Sequence, residues 1–366
     1  MIRTQRARGL LLCAGLGLAT AGTLPLHARA EGLDGAPARS LSEEWASQFW
    51  DLTARFDSGH QLFVRFAVSN VGLGDRNGAA SWQIVSPRGR VLEFHNGRRR
   101  PRWSLSPDGL RLEMGSSLLD QHGPSQRLRL DKHPVQLDLH FSARAPPLEV
   151  DALHDLYGTR LLALAAPVSG RLWLEGMDSQ LAVRGEIAVT YTWMRERESR
   201  LQARRVEFFS LGPERPIYLL DIETPEGEHR QCQVIRDAGG TLRRVAPARL
   251  CACAGPASRD GYPLPQALEL GGGSIDGRIE IARILVRYDP LMPLPRVFRW
   301  LLRAVLRPLR IWAESPYDIA LQPLGKPEVR LRGTGITVVG FSNPLPEGSS
   351  TPPQGSTRAC ECVSVS

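Results

Sequence analysis

Apolar residues recur at every second position along much of this chain. Leu62, Val64, Phe66 and Val68 alternate with Phe63, Arg65, Ala67 and Ser69, a period of two that predicts a strand with one buried face. Similar runs follow at Trp82–Val85, Arg90–Phe94, Leu110–Met114, Gln126–Leu130 and Val135–Phe141, separated by turn residues at Pro87-Arg88-Gly89, Pro107-Asp108-Gly109 and Asp131–Pro134. A second series runs through Val206–Ser210, Ile217–Ile222, Glu228–Ile235, Thr241–Val245, Arg278–Val286 and Gly335–Phe341. Short strands joined by tight turns predict an antiparallel sandwich or barrel. Gly72–Gly78 lacks the G-x-G-x-x-G spacing and no helical pattern follows it, so it reads as a hairpin turn and not a phosphate loop.

The stretch from Val168 to Phe209 organises the rest. Leu172-Trp173-Leu174 and the run Leu181, Val183, Ile187, Val189, Tyr191 flank Gly176-Met177-Asp178-Ser179, which predicts a hairpin. After Trp193 the charged segment Arg195–Arg200 forms a joint, and strand alternation resumes at Arg205. The chain then divides into an export signal (1–30), a flexible leader (31–44), a first β domain (45–195), a second (196–345) and a disordered tail (346–366).

Gly170–Gly176, Val183–Trp193 and Arg205–Phe209, with Phe63–Gly72 and Trp82–Pro87, resemble the central block and first hairpin of the AttH and survival-factor-like proteins. That family is built from two lipocalin-like β barrels and includes the carotenoid hydratases. The resemblance implies an all-β fold of two consecutive lipocalin-like antiparallel barrels, and the residue pattern described next adds one amphipathic helix inserted in the second. Hydratase-like members carry an Asp-His-x-Trp run where this chain has Thr190-Tyr191-Thr192-Trp193. Hydration needs a positioned proton donor, so the loss of acid and imidazole favours holding an apolar ligand over transforming it. In a closed barrel the apolar face would line a cavity for such a ligand. The candidate wall aromatics are Trp82, Trp173, Tyr191, Trp193, Phe208 and Tyr218; no catalytic residue is identified.

Between the last strands, Pro295–Trp312 has a helical pattern. Arg296, Arg299, Arg303, Arg307 and Arg310 fall within an arc of about 80° while Phe298, Trp300 and Trp312 join a wide apolar face. Two readings stand: a lid docked on the second barrel, or a helix lying in the headgroup plane of an anionic membrane. Pro308 should end or kink it.

Arg3, Arg6 and Arg8, the apolar run to Leu26 and the site Ala28-Arg29-Ala30 predict a cleaved signal and a periplasmic or extracellular protein. Removing its four arginines takes the formal charge from +8 to +4, too mild to indicate nucleic acid. Nearly all positive charge is Arg, since Lys132 and Lys326 are the sole lysines. The Arg98–Arg102 cluster reads as a solvated loop or a contact for anionic groups. The histidines show no metal spacing. Cys232, Cys251, Cys253, Cys360 and Cys362 remain after cleavage; the two C-x-C pairs suit disulfides tying the tail to the body, or a soft metal, with Cys232 left free. No metal or cofactor is expected. Hydrolase elbows, Walker loops and zinc-hydrolase helices are missing. The expected function is an exported carrier of a lipid or isoprenoid, associated with a membrane surface; the alternative is a hydratase or isomerase acting on such a ligand.

Overall fold

The computed structural model describes residues 42–361, apart from internal stretches at 71–75, 99–101, 144, 154, 213–214, 246–248, 254, 256–261, 293–295, 304–305, 323–327 and 345–359. The expected export signal, the expected leader up to residue 41, most of the Gly72–Gly78 turn, the centre of the Arg98–Arg102 cluster and nearly all of the expected tail lie outside the described residues.

Strands β1 (Ser47–Phe56), β2 (Gln61–Ser69), β3 (Asn77–Val85), β4 (Val91–Arg98), β5 (Trp103–Leu105), β6 (Arg111–Met114), β7 (Ser117–Asp120), β8 (Gln126–Lys132), β9 (Val135–Phe141), β10 (Leu148–Leu153), β11 (Tyr157–Leu174) and β12 (Leu181–Met194) form one antiparallel sheet. Its order is β4-β3-β2-β1-β12-β11-β9-β8-β7-β6-β5, with β10 paired to β11. Bonds from one end of the order to the other hold its curl. Trp82 Nε1 on β3 donates to Ser117 Oγ on β7 at 3.0 Å, and Lys132 Nζ on β8 donates to His95 O on β4 at 3.1 Å.

The short helix α1 (Glu198–Leu201) occupies the charged joint, and the order then repeats. The second sheet consists of β13 (Arg204–Phe209), β14 (Ile217–Glu223), β15 (His229–Arg236), β16 (Leu242–Arg244), β17 (Arg249–Cys253), β18 (Ala267–Gly271), β19 (Ile275–Glu280), β20 (Arg283–Tyr288), β21 (Leu309–Leu321), β22 (Val329–Phe341) and β23 (Cys360–Glu361), with α2 (Arg296–Arg303) between β20 and β21. It runs β16-β15-β14-β13-β22-β21-β19-β18-β17-β23, with β20 on β21 as β10 is on β11. The fold is therefore two consecutive, curled lipocalin-like sheets with one helix inserted in the second.

Period-two burial appears where only one face is covered. On β9, Val135, Leu137, Leu139 and Phe141 are buried while Gln136, Asp138 and His140 are not. By contrast β1 is buried at nearly every position. Its two faces serve two cores, as expected of a strand with no solvent side. One core fills the first curl with Trp50, Phe66, Trp82, Leu128, Phe141, Tyr191 and Trp193. A second joins the two sheets back to back, with Phe63, Tyr157, Leu161 and Ala188 from the first and Tyr218, Leu220, Trp312 and Val338 from the second. A third fills the second curl around Phe208, Ile217, Ile311 and Ile319.

Two expectations change. Among the described residues, bulky aromatics pack together inside the first curl: Trp50 lies 5.0 Å from Tyr191 and Phe66 lies 5.8 Å from Trp82, centroid to centroid. The Arg278–Val286 run is two strands broken at Ile281 and Ala282. Among the described residues the helix covers Arg296–Arg303, and Trp312 is not on it: Leu309–Leu321 is a strand, since Pro308 cannot continue a helical ladder and the alternating residues beyond it pair with β22.

Candidate functional site

The interface between the sheets holds a buried ionic cluster. Asp51 and Arg65 are cross-strand partners on β1 and β2, and the carboxylate takes two guanidinium bonds, from Nε at 2.7 Å and Nη2 at 2.8 Å. This fork-to-fork pairing fixes both planes. The Arg65 guanidinium also lies 4.6 Å from the Phe49 ring. On β13, Arg205 and Glu207 sit two residues apart and so share a face, with Nη2 donating to Oε1 at 2.9 Å. Arg205 Nη1 donates to Tyr157 Oη at 2.6 Å and to Thr159 Oγ1 at 3.2 Å, and Tyr218 Oη donates to Glu207 Oε1 at 2.8 Å.

Arg310 on β21 joins the two groups. Its Nη1 lies 3.3 Å from Asp51 Oδ2 and its Nη2 lies 3.6 Å from Glu207 Oε2. Its side chain is only 8% exposed, and its Nε–H has no acceptor among the described residues. Arg65, Arg205, Glu207 and Arg310, with Glu198 and Gln202 at the joint, border a cavity of about 40 Å³. Pro290 and Pro308 close the same cavity; they bracket the excursion that carries α2.

The electrostatics hold this arrangement charged. Burial works against the Arg205 guanidinium, but Glu207 and the neighbouring phenols hold its pKa well above the ordinary value. Arg65 is likewise raised, with Asp51 overcoming desolvation. Burial pushes the Tyr157 phenol up to about 12 and drives Tyr218 upward, with Glu207 adding to the effect. Both phenols stay protonated at neutral pH, as donors that do not give up their protons. The cluster is built to hold charge in place. Half-buried Asp151 has its carboxyl raised by desolvation and pairs with Arg230 at 3.2 Å.

Sequence-level candidates fall in several places. Trp82, Tyr191 and Trp193 are packed in the first curl, and Tyr191 Oη donates to Gln48 Oε1 at 2.7 Å. Phe208 is packed in the second curl and Tyr218 in the interface. Trp173 is half-buried, its Nε1 donating to Met177 O at 3.2 Å. None of these six borders the Arg-lined cavity. Within the Thr190–Trp193 run, Tyr191 and Trp193 turn into the curl, while Thr192 bonds Thr159 at 3.1 Å and thereby joins the interface. Thr190 stands opposite Asp51 in register. An acid, Asp51, thus stands one strand away from the Thr190–Trp193 run, locked between two guanidinia.

On the α2 excursion, Val297 is 68% exposed, Trp300 75%, Leu301 52% and Met292 55%. Arg296, Arg303 and Arg307 are exposed and Arg299 half-buried; Arg303 pairs with Asp289. The Phe298 side chain lies outside the described residues. Trp312 lies in the interface, stacked on Phe63 at 5.3 Å. No helix among the described residues is long and apolar enough to cross a membrane.

Sequence reasoning missed Asp51, Arg65, Arg205 and Glu207, and placed Arg310 on a helix stripe. The available signal was charge at alternate positions of strands whose other positions are all apolar. At the far end of the interface, a wider groove of about 680 Å³ lies between Ala165, Pro167 and Glu186 of the first sheet and Arg215, Arg236 and Leu331 of the second half. Ala165 and Arg215 both hold a left-handed backbone, φ 48°. Cys232 is free and buried, whereas Cys251 and Cys253 are disulfide-bonded. Strand β23 lays Cys360 opposite Cys253 in register.

No family model and no curated protein matches this chain. Solved structures do. A protein provisionally assigned as AttH from Nitrosomonas europaea superposes with TM-score 0.58 at 12% identity, over 83% of this chain and 98% of that one. Kievitone hydratase from Nectria haematococca gives TM-score 0.54 at 12% identity, over 82% and 90%. CghA in complex with Sch210972 gives 0.56 at 8% identity, over 84% and 95%. The chain therefore shares the tandem lipocalin-like fold of an AttH-type protein and of kievitone hydratase.

Proposed function

We propose that this protein is an exported, membrane-peripheral carrier of a hydrophobic molecule of the lipid or isoprenoid class. The observation that carries the reading is the exposed apolar surface of the α2 excursion, Met292, Val297, Trp300 and Leu301, set among arginines. Exposed apolar side chains with basic neighbours suit insertion at the headgroup boundary of an anionic bilayer. The excursion leaves and rejoins the body at Pro290 and Pro308, beside the interface cavity, so a molecule leaving the bilayer along α2 arrives at the cleft between the sheets. The disulfide-bonded Cys251 and Cys253 fit an oxidising, exported setting.

Flotation with anionic vesicles, together with solvent extraction and mass spectrometry of the purified protein, tests this. Wild type floats and yields a co-purified apolar molecule; Trp300→Ser with Leu301→Ser stays in solution with unchanged thermal stability, because both side chains already face water. A protein that neither floats nor carries a lipid rules the reading out. The second reading, a hydratase or isomerase, is favoured by the fold shared with kievitone hydratase and by the raised carboxyl of Asp151. Turnover of an added isoprenoid, lost in Asp151→Asn, would select it.

A further inference from the structure

We propose that the cavity between the sheets is an anion site, and that the ligand carried is an amphiphile with a carboxylate-type acidic head. This rests on the carrier reading and specifies its substrate class. Three guanidinia, Arg65, Arg205 and Arg310, border the cavity. The two acids buried with them are already engaged: Asp51 takes both bonds of Arg65, and Glu207 takes one from Arg205 and one from Tyr218. Arg310 is left with ion-pair separations of 3.3 and 3.6 Å and an Nε–H without an acceptor among the described residues. A buried donor without an acceptor is costly, and guanidinium is the group best matched to a carboxylate's two oxygens.

Size and placement agree. A water needs roughly 10–15 Å³ of such space, so a cavity of about 40 Å³ holds the two oxygens of a carboxylate and nothing larger than a small head group. The hydrocarbon chain must therefore lie outside, and Met292, Val297, Trp300 and Leu301, in the segment between the lining residues Pro290 and Pro308, are exposed apolar side chains. Two bordering carboxylates oppose an incoming anion: Glu207, which Arg205 and Tyr218 already engage, and Glu198. Glu198 is half-buried and bonded by Gln202 Nε2 at 2.6 Å. It is the rim charge, and its removal should strengthen the site.

The test is calorimetric titration of the full protein with sodium decanoate and with 1-decanol, which share a chain length and differ in the head. Decanoate is expected to bind about tenfold or more tightly than decanol, the margin of a charge-assisted pair in a desolvated site. Arg310→Met should reduce that preference to within about threefold, and Glu198→Gln should raise decanoate affinity while leaving decanol unchanged. Equal binding of the two probes, or a Glu198→Gln variant with unaltered decanoate affinity, overturns the anion site and leaves the carrier reading standing. Binding of neither probe overturns both. The Glu198 variant changes a half-exposed rim group, so the test survives if Arg310→Met fails to fold.

Discussion

Arg310 of the second sheet lies 3.3 Å from Asp51 of the first, both buried. Asp51 already holds Arg65 through two bonds, so one carboxylate is shared by a guanidinium from each half. Arginines cross the same interface elsewhere. Arg236 Nη1 donates to Leu164 O at 3.0 Å and Ala165 O at 2.7 Å, Arg244 Nε donates to Glu149 O at 3.0 Å, and Arg55 Nη1 donates to Thr334 O at 3.1 Å. The planar, permanently charged fork suits these contacts better than an ammonium would, which gives the arginine-rich composition a structural use.

Removing that carboxylate should be severe. Asp51→Ala leaves Arg65 and Arg310 buried without their acid, and losing one member of a buried pair costs about 3–5 kcal/mol. Urea denaturation should show a loss of this size. A loss under about 1 kcal/mol, the range of exposed pairs, would mean that the cluster is hydrated.

The His229–Asp221 pair should make stability fall on the alkaline side. The Asp221 carboxylate, bonded to Nδ1 at 2.9 Å, raises the His229 pKa above its ordinary 6.5. A raised folded-state value means that the stabilisation is complete below the unfolded pKa and is lost as pH climbs through the folded one. The stability gap between wild type and His229→Gln should therefore be wider at pH 6 than at pH 9. A gap that is flat with pH would contradict the assignment.

Gly335 is required by a close approach. A Cβ there would stand 2.4 Å from the Phe208 ring and 2.6 Å from the Phe209 carbonyl oxygen. Gly335→Ala should cost about 2 kcal/mol or more through overpacking. Gly97→Ala, on a strand with open space around the new methyl, should be within about 0.5 kcal/mol of wild type. Equal melting temperatures for the two variants would refute the contact.

Non-reducing peptide mapping should join the Cys251–Cys253 segment to the tail, with Cys253 linked to Cys360, its partner in the β17–β23 register. Cys232, whose thiol is pushed up by burial, should resist alkylation in the native protein and react after unfolding. A tail peptide released without reductant would exclude the linkage.

Much of the fold was legible because the β period is local. Val135–Phe141 alternates in sequence as it does in burial, and the hairpin at Gly176 forms as expected, with Leu172 opposite Leu181 in register and Gly176 at φ 89°. Helix α2 begins within the expected segment. Its end was misplaced because Leu309-Arg310-Ile311-Trp312 fits an amphipathic helix as well as a strand, and pairing with β22 decides between them. Trp82, Tyr191 and Phe208 were read as apolar strand positions, which they are; periodicity does not say whether such a face meets a ligand or other side chains.

The sequence by itself determined two β-rich halves, their charged joint and one short helix with arginines and exposed tryptophan, because each depends on neighbours within a few residues. Only the tertiary structure decided which buried side chains meet inside each curl and that the halves meet back to back. It alone also assembled a chemical site from Asp51, Arg65, Arg205, Glu207 and Arg310. Those five residues span more than two hundred and fifty positions, and on a strand buried on both faces no local pattern separates a side chain facing a core from one facing a partner sheet.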